Sequence, residues 1–195
     1  EHMLIDLESL HGPPDDPIAR EKYYAPMSME ARAWFIHYNH VNKANYTLSN
    51  IDDASAELKR FKEYGGGTVV EVTPKGLHRN PHGLAEISRR TGVNVIMGSS
   101  YYVGETHPAD MERRSEDDVL EDIVRDITEG ADGTDIKSGI IGEVGCQWPM
   151  SDNEIKVLRA SGRAQRITGA PLIIHPGRDE HAPLEIIDVL TSVGA

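Results

Sequence analysis

The chain has 195 residues, of which 38% are hydrophobic and 27% charged, a composition typical of one globular domain rather than of a disordered or membrane-embedded chain. Its 32 acidic residues outnumber the 20 basic ones, and the formal net charge of −12 argues against nucleic acids and anionic membranes as partners. The single cysteine, Cys146, excludes an internal disulfide, and no secretory signal pattern is present, so we expect a cytoplasmic protein.

The N-terminal part of the chain departs from the pattern that follows it. The sequence begins Glu1-His2 rather than with Met, so we expect it to be a fragment of a longer protein. Met3-Leu4-Ile5 is predicted to be a short strand. Residues 11–49 then contain several prolines and an aromatic stretch, which predicts a helical insertion within a single domain covering 1–195.

From about residue 50 the sequence repeats one unit: a capped amphipathic helix, a glycine that ends it, and a short apolar strand. The first helix has its N-cap at Asp52 or Asp53 and ends at Gly65-Gly66-Gly67. Strands are predicted at 68–72, 93–97, 139–144 and 171–175. Strands that alternate with helices predict βαβ crossovers and a parallel sheet buried on both faces.

Two folds are compatible with this alternation, an open doubly wound sheet and a (β/α)8 barrel. The dinucleotide-binding form of the open sheet needs a glycine-rich turn between a strand and its helix, whereas the triple glycine here precedes a strand. This difference favours the barrel, and a complete barrel needs about 250 residues. The predicted fold is therefore α/β, an incomplete TIM (β/α)8 barrel with roughly the first five βα units and parallel strands.

Side chains at the C-terminal ends of barrel strands face the active site, and three of them here suit a metal ion. His2 adjoins the first strand, Glu143 lies at the end of the fourth, and His175 ends the fifth. Imidazoles and carboxylates bind Zn²⁺, and a carboxylate can bridge two ions. Instead of being metal ligands, each histidine could be a hydrogen-bonded structural residue, and the buried carboxylate of Glu143 could be paired with Arg or Lys.

Several segments, in order and spacing, resemble the phosphotriesterase family of the amidohydrolase superfamily, in particular its phosphotriesterase-related branch. Residues 1–6 resemble the end of an H-x-H signature, and 139–149 and 171–178 resemble the motifs of the fourth and fifth strands. Residues 63–71 and 130–134 also match. The resemblance spans nearly the whole chain.

The resemblance implies a zinc-dependent hydrolase with two Zn²⁺ per complete subunit, although other divalent metals are possible. A metal-bound hydroxide would attack a small amide or ester, such as an N-acyl amino acid, an N-acyl taurine or a lactone. It implies His2, Glu143 and His175 as metal ligands, with Glu143 as the bridge between the ions. The small-molecule substrate would contact Arg178 and Tyr102, and the full-length protein could be a homodimer.

Part of the family's site lies outside this sequence. The histidine of strand six and the aspartate of strand eight, which is the family's proton acceptor, would follow Ala195. We therefore expect no catalytic residue within 1–195 and an inactive fragment. Two alternatives remain: a TatD-type metal-dependent nuclease, disfavoured by the acidic charge and the insertion, and a non-catalytic truncated product whose open sheet edges pair with another chain.

Overall fold

The computed structural model describes residues 2–38 and 42–195. Its α-helices are α1 Pro17–Tyr24, α2 Met29–Tyr38, α3 Ile51–Glu63, α4 Pro81–Thr91, α5 Glu116–Thr128, α6 Asp152–Thr168 and α7 Ala182–Ser192. Its strands are β1 Ile5–Asp6, β2 Thr47–Leu48, β3 Thr68–Glu71, β4 Asn94–Ser99, β5 Ile140–Gly145 and β6 Leu172–His175. No helix in these two ranges combines the length and the apolar character needed to cross a bilayer.

The central feature is a parallel four-stranded sheet in the order β3-β4-β5-β6. Helices α4, α5 and α6 connect each strand to the next, so sequence neighbours are also neighbours in space. Main-chain hydrogen bonds join the four strands in series without closing them into a ring. The prediction of an incomplete parallel barrel is confirmed.

The predicted first parallel strand is wrong in its pairing. Strand β1 pairs with β2 in antiparallel orientation, with Ile5 opposite Leu48, and in the described residues no ladder joins it to β3. The Met3 backbone N–H donates to the Glu71 carboxylate at 3.2 Å instead of to a neighbouring strand. The segment is therefore held beside β3 by a side chain and by the burial of Leu4.

Helices α3 and α6 each begin after a residue whose side chain caps the first turn. The cap of α3 differs from the predicted one. Helix α3 is capped by Asn50, whose side chain accepts hydrogen bonds from the N–H groups of Asp52 and Asp53. The predicted cap at those aspartates is wrong because Asn50 already satisfies their backbone donors. Helix α6 begins with the capping box of Ser151 and Glu154 that the sequence indicates.

Two apolar cores bury the two halves of the sheet. The larger joins β5 to α5 and α6 through fully buried aliphatic side chains, among them Ile141, Val144, Val119, Ile123 and Leu158. The smaller covers β3 and β4 with residues from α3 and α4, including Leu58, Leu84 and Ile87. The predicted burial on both faces is therefore wrong: helices cover one face of the sheet, whereas Val70 of β3 and Ile173 of β6, which alternate with the core residues, are 36% and 37% exposed.

A network of buried charges links the β3–α4 connection to α5. The Arg79 side chain is 1% exposed and lies 2.9 Å from Asp126 and 2.6 Å from Asp132. The Lys75 Nζ atom is 3.5 Å from the second oxygen of Asp126 and 3.7 Å from Asp122. This buried charge network holds the loop after β3 against the outer helix layer.

Asp122, at the edge of this network, makes the stability of the fold dependent on pH. Burial alone would raise its pKa, but hydrogen bonds from Tyr101 and Arg114, with the charge of Lys75, hold the pKa well below its ordinary value. A carboxyl with a depressed folded-state pKa stabilises the fold above its unfolded value of about 3.9, and this contribution disappears as the pH falls through the folded pKa.

We therefore expect Asp122→Asn to lower the free energy of unfolding at pH 7, and we expect its difference from the wild type to begin to narrow as the pH falls below about 4. Urea unfolding from pH 7 to pH 3 measures both curves. Asp117→Asn, at an exposed position of the same helix, is the control. A difference between the Asp122 variant and the wild type that stays constant with pH would contradict the assignment.

Candidate metal and substrate site

Four parallel strands end at the same side of the sheet, and the predicted site residues lie there. His175 is the last residue of β6, and Glu143 lies two residues before the end of β5. Tyr102 follows β4 by three residues, and His2 precedes β1. Residues separated by more than a hundred positions along the chain are thereby brought to one edge.

Glu143 lies between two imidazoles, each close to a different carboxylate oxygen. Its Oε1 atom is 3.2 Å from Nε2 of His2, and its Oε2 atom is 3.2 Å from Nδ1 of His175. The Glu143 side chain is 13% exposed, and the His2 and His175 side chains are 30% and 42% exposed. The structure thus brings together all three residues predicted as metal ligands.

The surroundings keep Glu143 ionised. Burial by itself would raise the pKa of this carboxyl, but the hydrogen bond from His2 and the charges of His175 and His2 hold the pKa below its ordinary value. In the described residues, the ion-pair partners of the Glu143 carboxylate are these two histidines rather than an Arg or a Lys. The site therefore presents a negative charge flanked by nitrogen donors.

This donor set fits a divalent cation, and in particular a pair of them. Two ligands of one zinc ion, each about 2.0–2.2 Å from it, lie roughly 3.0–3.5 Å apart, which includes the 3.2 Å separations observed here. In residues 2–38 and 42–195, no three His, Cys, Asp or Glu side chains converge so that they could hold one ion. The site instead offers an imidazole and a carboxylate oxygen at each of two positions, which is a partial ligand set.

Glycines on both sides of Glu143 permit this arrangement. Gly142 has φ of +115°, and a Cβ at that position would lie 2.2 Å from the carbonyl oxygen of Ile173 on β6. A Cβ at Gly145 would lie 2.2 Å from the backbone nitrogen of Val103, in the segment after β4. A side chain at either position would clash with neighbouring backbone, so both glycines are needed for the close approach of these three adjacent chain segments.

Of the two predicted substrate-binding residues, Tyr102 lies beside His175, and Arg178 lies on the loop that follows it. The Tyr102 ring is 5.1 Å from the His175 ring, in an edge-to-face arrangement. Burial raises the pKa of Tyr102 to about 12, with a further contribution from the charge of Glu143, while the charge of Arg178 acts in the opposite direction. Arg178 itself is exposed on the loop after β6. The Tyr102 ring thus borders the imidazole, and Arg178 follows His175 by three residues.

Comparison with known proteins shows the family. The sequence profile of the Phosphotriesterase family matches residues 1–195. The chain belongs to the phosphotriesterase family. This confirms the resemblance inferred from the sequence motifs and favours it over the TatD-type alternative. The family is generally metal-dependent, and one of its members with sequence similarity to this chain is named a hydrolase.

Named members of the phosphotriesterase family align along the whole chain. Identity is 38% over 195 residues to the N-acetyltaurine hydrolase of Danio rerio and 40% over 200 residues to the phosphotriesterase-related protein of Nematostella vectensis. The crystal structure of a resiniferatoxin-binding protein from Rhodobacter sphaeroides superimposes with a TM-score of 0.94 at 37% identity. The chain spans 56% of the length of the two relatives and 55% of that structure.

Two further polar residues of this phosphotriesterase-family chain adjoin the site: Thr73, which the sequence places at a strand end facing the site although not among the ligands, and Glu71, for which no such position is predicted. Thr73 follows β3 and contacts Nδ1 of His2 at 2.9 Å, while Glu71 at the end of β3 contacts Thr73. Both side chains are fully buried. The signal that marked Glu143, a carboxylate ending a buried strand, is equally present at Glu71.

Proposed function

We propose that this chain carries the metal-ligand half of a zinc-dependent hydrolase that cleaves a small amide bearing an anionic group, such as an N-acyl taurine. The observation that supports this most directly is the position of Glu143 between His2 and His175, one imidazole to each oxygen. The relative from Danio rerio that is named N-acetyltaurine hydrolase supports the substrate class.

The three ligands have separate roles in this proposal. His2, the less exposed imidazole, would hold the inner ion, and His175 the outer one, while Glu143 bridges them. Zinc at such a site supplies Lewis-acid polarisation of a carbonyl and a water of lowered pKa. The ionised state of Glu143 and its placement by β5 are what this chain contributes before any ion binds.

Arg178 and Tyr102 would orient the substrate. An exposed guanidinium can bind a sulfonate or carboxylate with two parallel hydrogen bonds, and Tyr102 provides an apolar wall next to His175. An amide whose acyl carbon lies near His175 would thus place its anionic end toward the loop after β6. A lactone without a charged group would leave Arg178 without a ligand, so the anionic amide is the better match.

The zinc content of the chain and of the complete protein encoded by its gene tests the proposal. We expect the complete protein to hold two zinc ions and hydrolyse N-acetyltaurine, and the 195-residue chain to bind zinc weakly and show no turnover. A complete protein that is free of metal yet fully active would contradict the proposal. Tight binding of two ions by the chain alone would show that it is not half of a site.

Arg178→Met in the complete protein is expected to raise KM for N-acetyltaurine about 10- to 100-fold, because a charged hydrogen bond is worth roughly 1.5–3 kcal/mol. The kcat value should change little, since the anionic end is remote from the reacting carbonyl. Steady-state kinetics with N-acetyltaurine and with a neutral N-alkylacetamide measure the difference. Arg89→Met, an exposed arginine on α4, is the matched control. An equal loss with the neutral amide would rule out anion binding by Arg178.

A further inference from the structure

A continuous series of polar contacts runs from the buried interior to the candidate metal site. The Oε1 atom of Glu71 is 2.5 Å from the Thr73 hydroxyl, which is 2.9 Å from Nδ1 of His2. On the other side of the ring, Nε2 of His2 is 3.2 Å from Glu143. Glu71 and Thr73 are both 0% exposed, and neither is a ligand in the proposed metal site.

The protons of this series can be assigned by counting donors. The Glu71 carboxylate accepts from the backbone N–H groups of Met3 and Thr73 and from the Thr73 hydroxyl. A threonine hydroxyl has one proton. Because that proton is donated to Glu71, the Thr73 oxygen can only accept from His2, so Nδ1 of His2 carries a proton.

The proton on Nδ1 of His2 determines what the opposite ring nitrogen, Nε2, can bind. With Nδ1 protonated, Nε2 faces an oxygen of the ionised Glu143 and can hold either a second ring proton, which it donates to that oxygen, or a metal ion. Without either, the lone pairs of Nε2 and of the carboxylate oxygen would repel each other at 3.2 Å. The contact with Thr73 therefore prepares the nitrogen that a metal ion requires.

We infer that Thr73, held by Glu71, is a positioning residue that fixes the ring of His2 with Nδ1 protonated and Nε2 turned toward Glu143. The inference rests on the proposed function for the role of His2 as a ligand. Glu71 contributes twice, since it also binds the backbone N–H of Met3, the residue after His2. One buried carboxylate thereby holds both the backbone and the side chain of this ligand.

The first test measures zinc affinity of the complete protein by competition with a chromophoric chelator. Thr73→Val should weaken binding about 10- to 100-fold, the usual effect of removing an outer-shell partner. Thr73→Ser, which restores the hydroxyl, should bind within about threefold of the wild type. Thr91→Val, which removes another buried hydroxyl in α4, is the matched control. Circular dichroism confirms folding of each variant, and Glu71→Gln replaces Thr73→Val if the latter does not fold.

The second test observes the proton directly. In chain labelled with ¹⁵N-histidine, Nδ1 of His2 should show a hydrogen-bonded N–H signal, assigned by its absence in His2→Gln and lost in Thr73→Val. An unprotonated Nδ1 in the wild type, or zinc affinity unchanged in Thr73→Val, would overturn the inference. If the wild type shows the protected N–H but the complete protein takes up no zinc, the proposed function fails while the positioning assignment holds.

Discussion

Glu143→Gln in the complete protein is expected to abolish zinc retention and to reduce turnover of N-acetyltaurine by a factor on the order of 10³. The amide keeps the shape of the side chain but loses its charge and replaces one oxygen with an N–H donor. One of the two imidazoles would then face a donor instead of an acceptor, and neither ion would have an anionic ligand from β5. Zinc per subunit after dialysis and initial hydrolysis rates measure the two effects.

Glu105→Gln serves as the control for the change in charge. Glu105 is exposed in the segment after β4, so its replacement alters the net charge by the same amount without touching the site. Its zinc content and rate should match the wild type. Full zinc content together with undiminished turnover in the Glu143 variant would refute the bridging role.

Arg79→Met should lower the free energy of unfolding by about 3–5 kcal/mol, the usual result of removing one partner of a buried ion pair. The guanidinium is 1% exposed and donates to Asp126, to Asp132 and to the carbonyl oxygen of Gly98. Burial raises the pKa of Asp126 even in the presence of Arg79 and Lys75. Without the arginine, this carboxyl would have to be buried protonated or poorly paired.

Urea unfolding at pH 7 measures the loss. Arg90→Met removes another arginine with two acidic partners, Asp52 and Glu86, but its side chain is 42% exposed. Because solvent screens such pairs, this control should change stability by no more than about 1 kcal/mol. If the two variants lost similar amounts of unfolding free energy, the contribution of the Arg79 ion pairs to stability would not depend on their burial.

The sequence predicts the parts of the fold that depend on local patterns. Apolar runs between capped helices predict the parallel sheet, and polar residues that end these runs predict Glu143 and His175 at one edge. The sequence predicts the N-cap of α3 at Asp52 or Asp53, and only the contact of Asn50 with their two backbone N–H groups identifies the right residue.

Other features depend on contacts between distant positions and could not be predicted. The pairing of β1 with β2 requires the insertion to return to residues 5–6, and nothing in Thr47–Leu48 specifies that partner. The contact of Thr73 with His2 joins positions 71 residues apart. A buried carboxylate such as Glu71 is visible in the sequence, but its partners are defined only when the chain has folded.

The way in which residues 2–4 are attached couples ion binding at His2 to the order of this segment. In the described residues, the segment before Ile5 lacks a strand ladder and is held by the Met3 N–H bond to Glu71 and the contacts of His2. An ion bound by Nε2 of His2 would add one more attachment at the end of this segment. Local opening of residues 2–4 would then require release of His2 from the ion, so any ion that binds there would stabilise this segment against local unfolding.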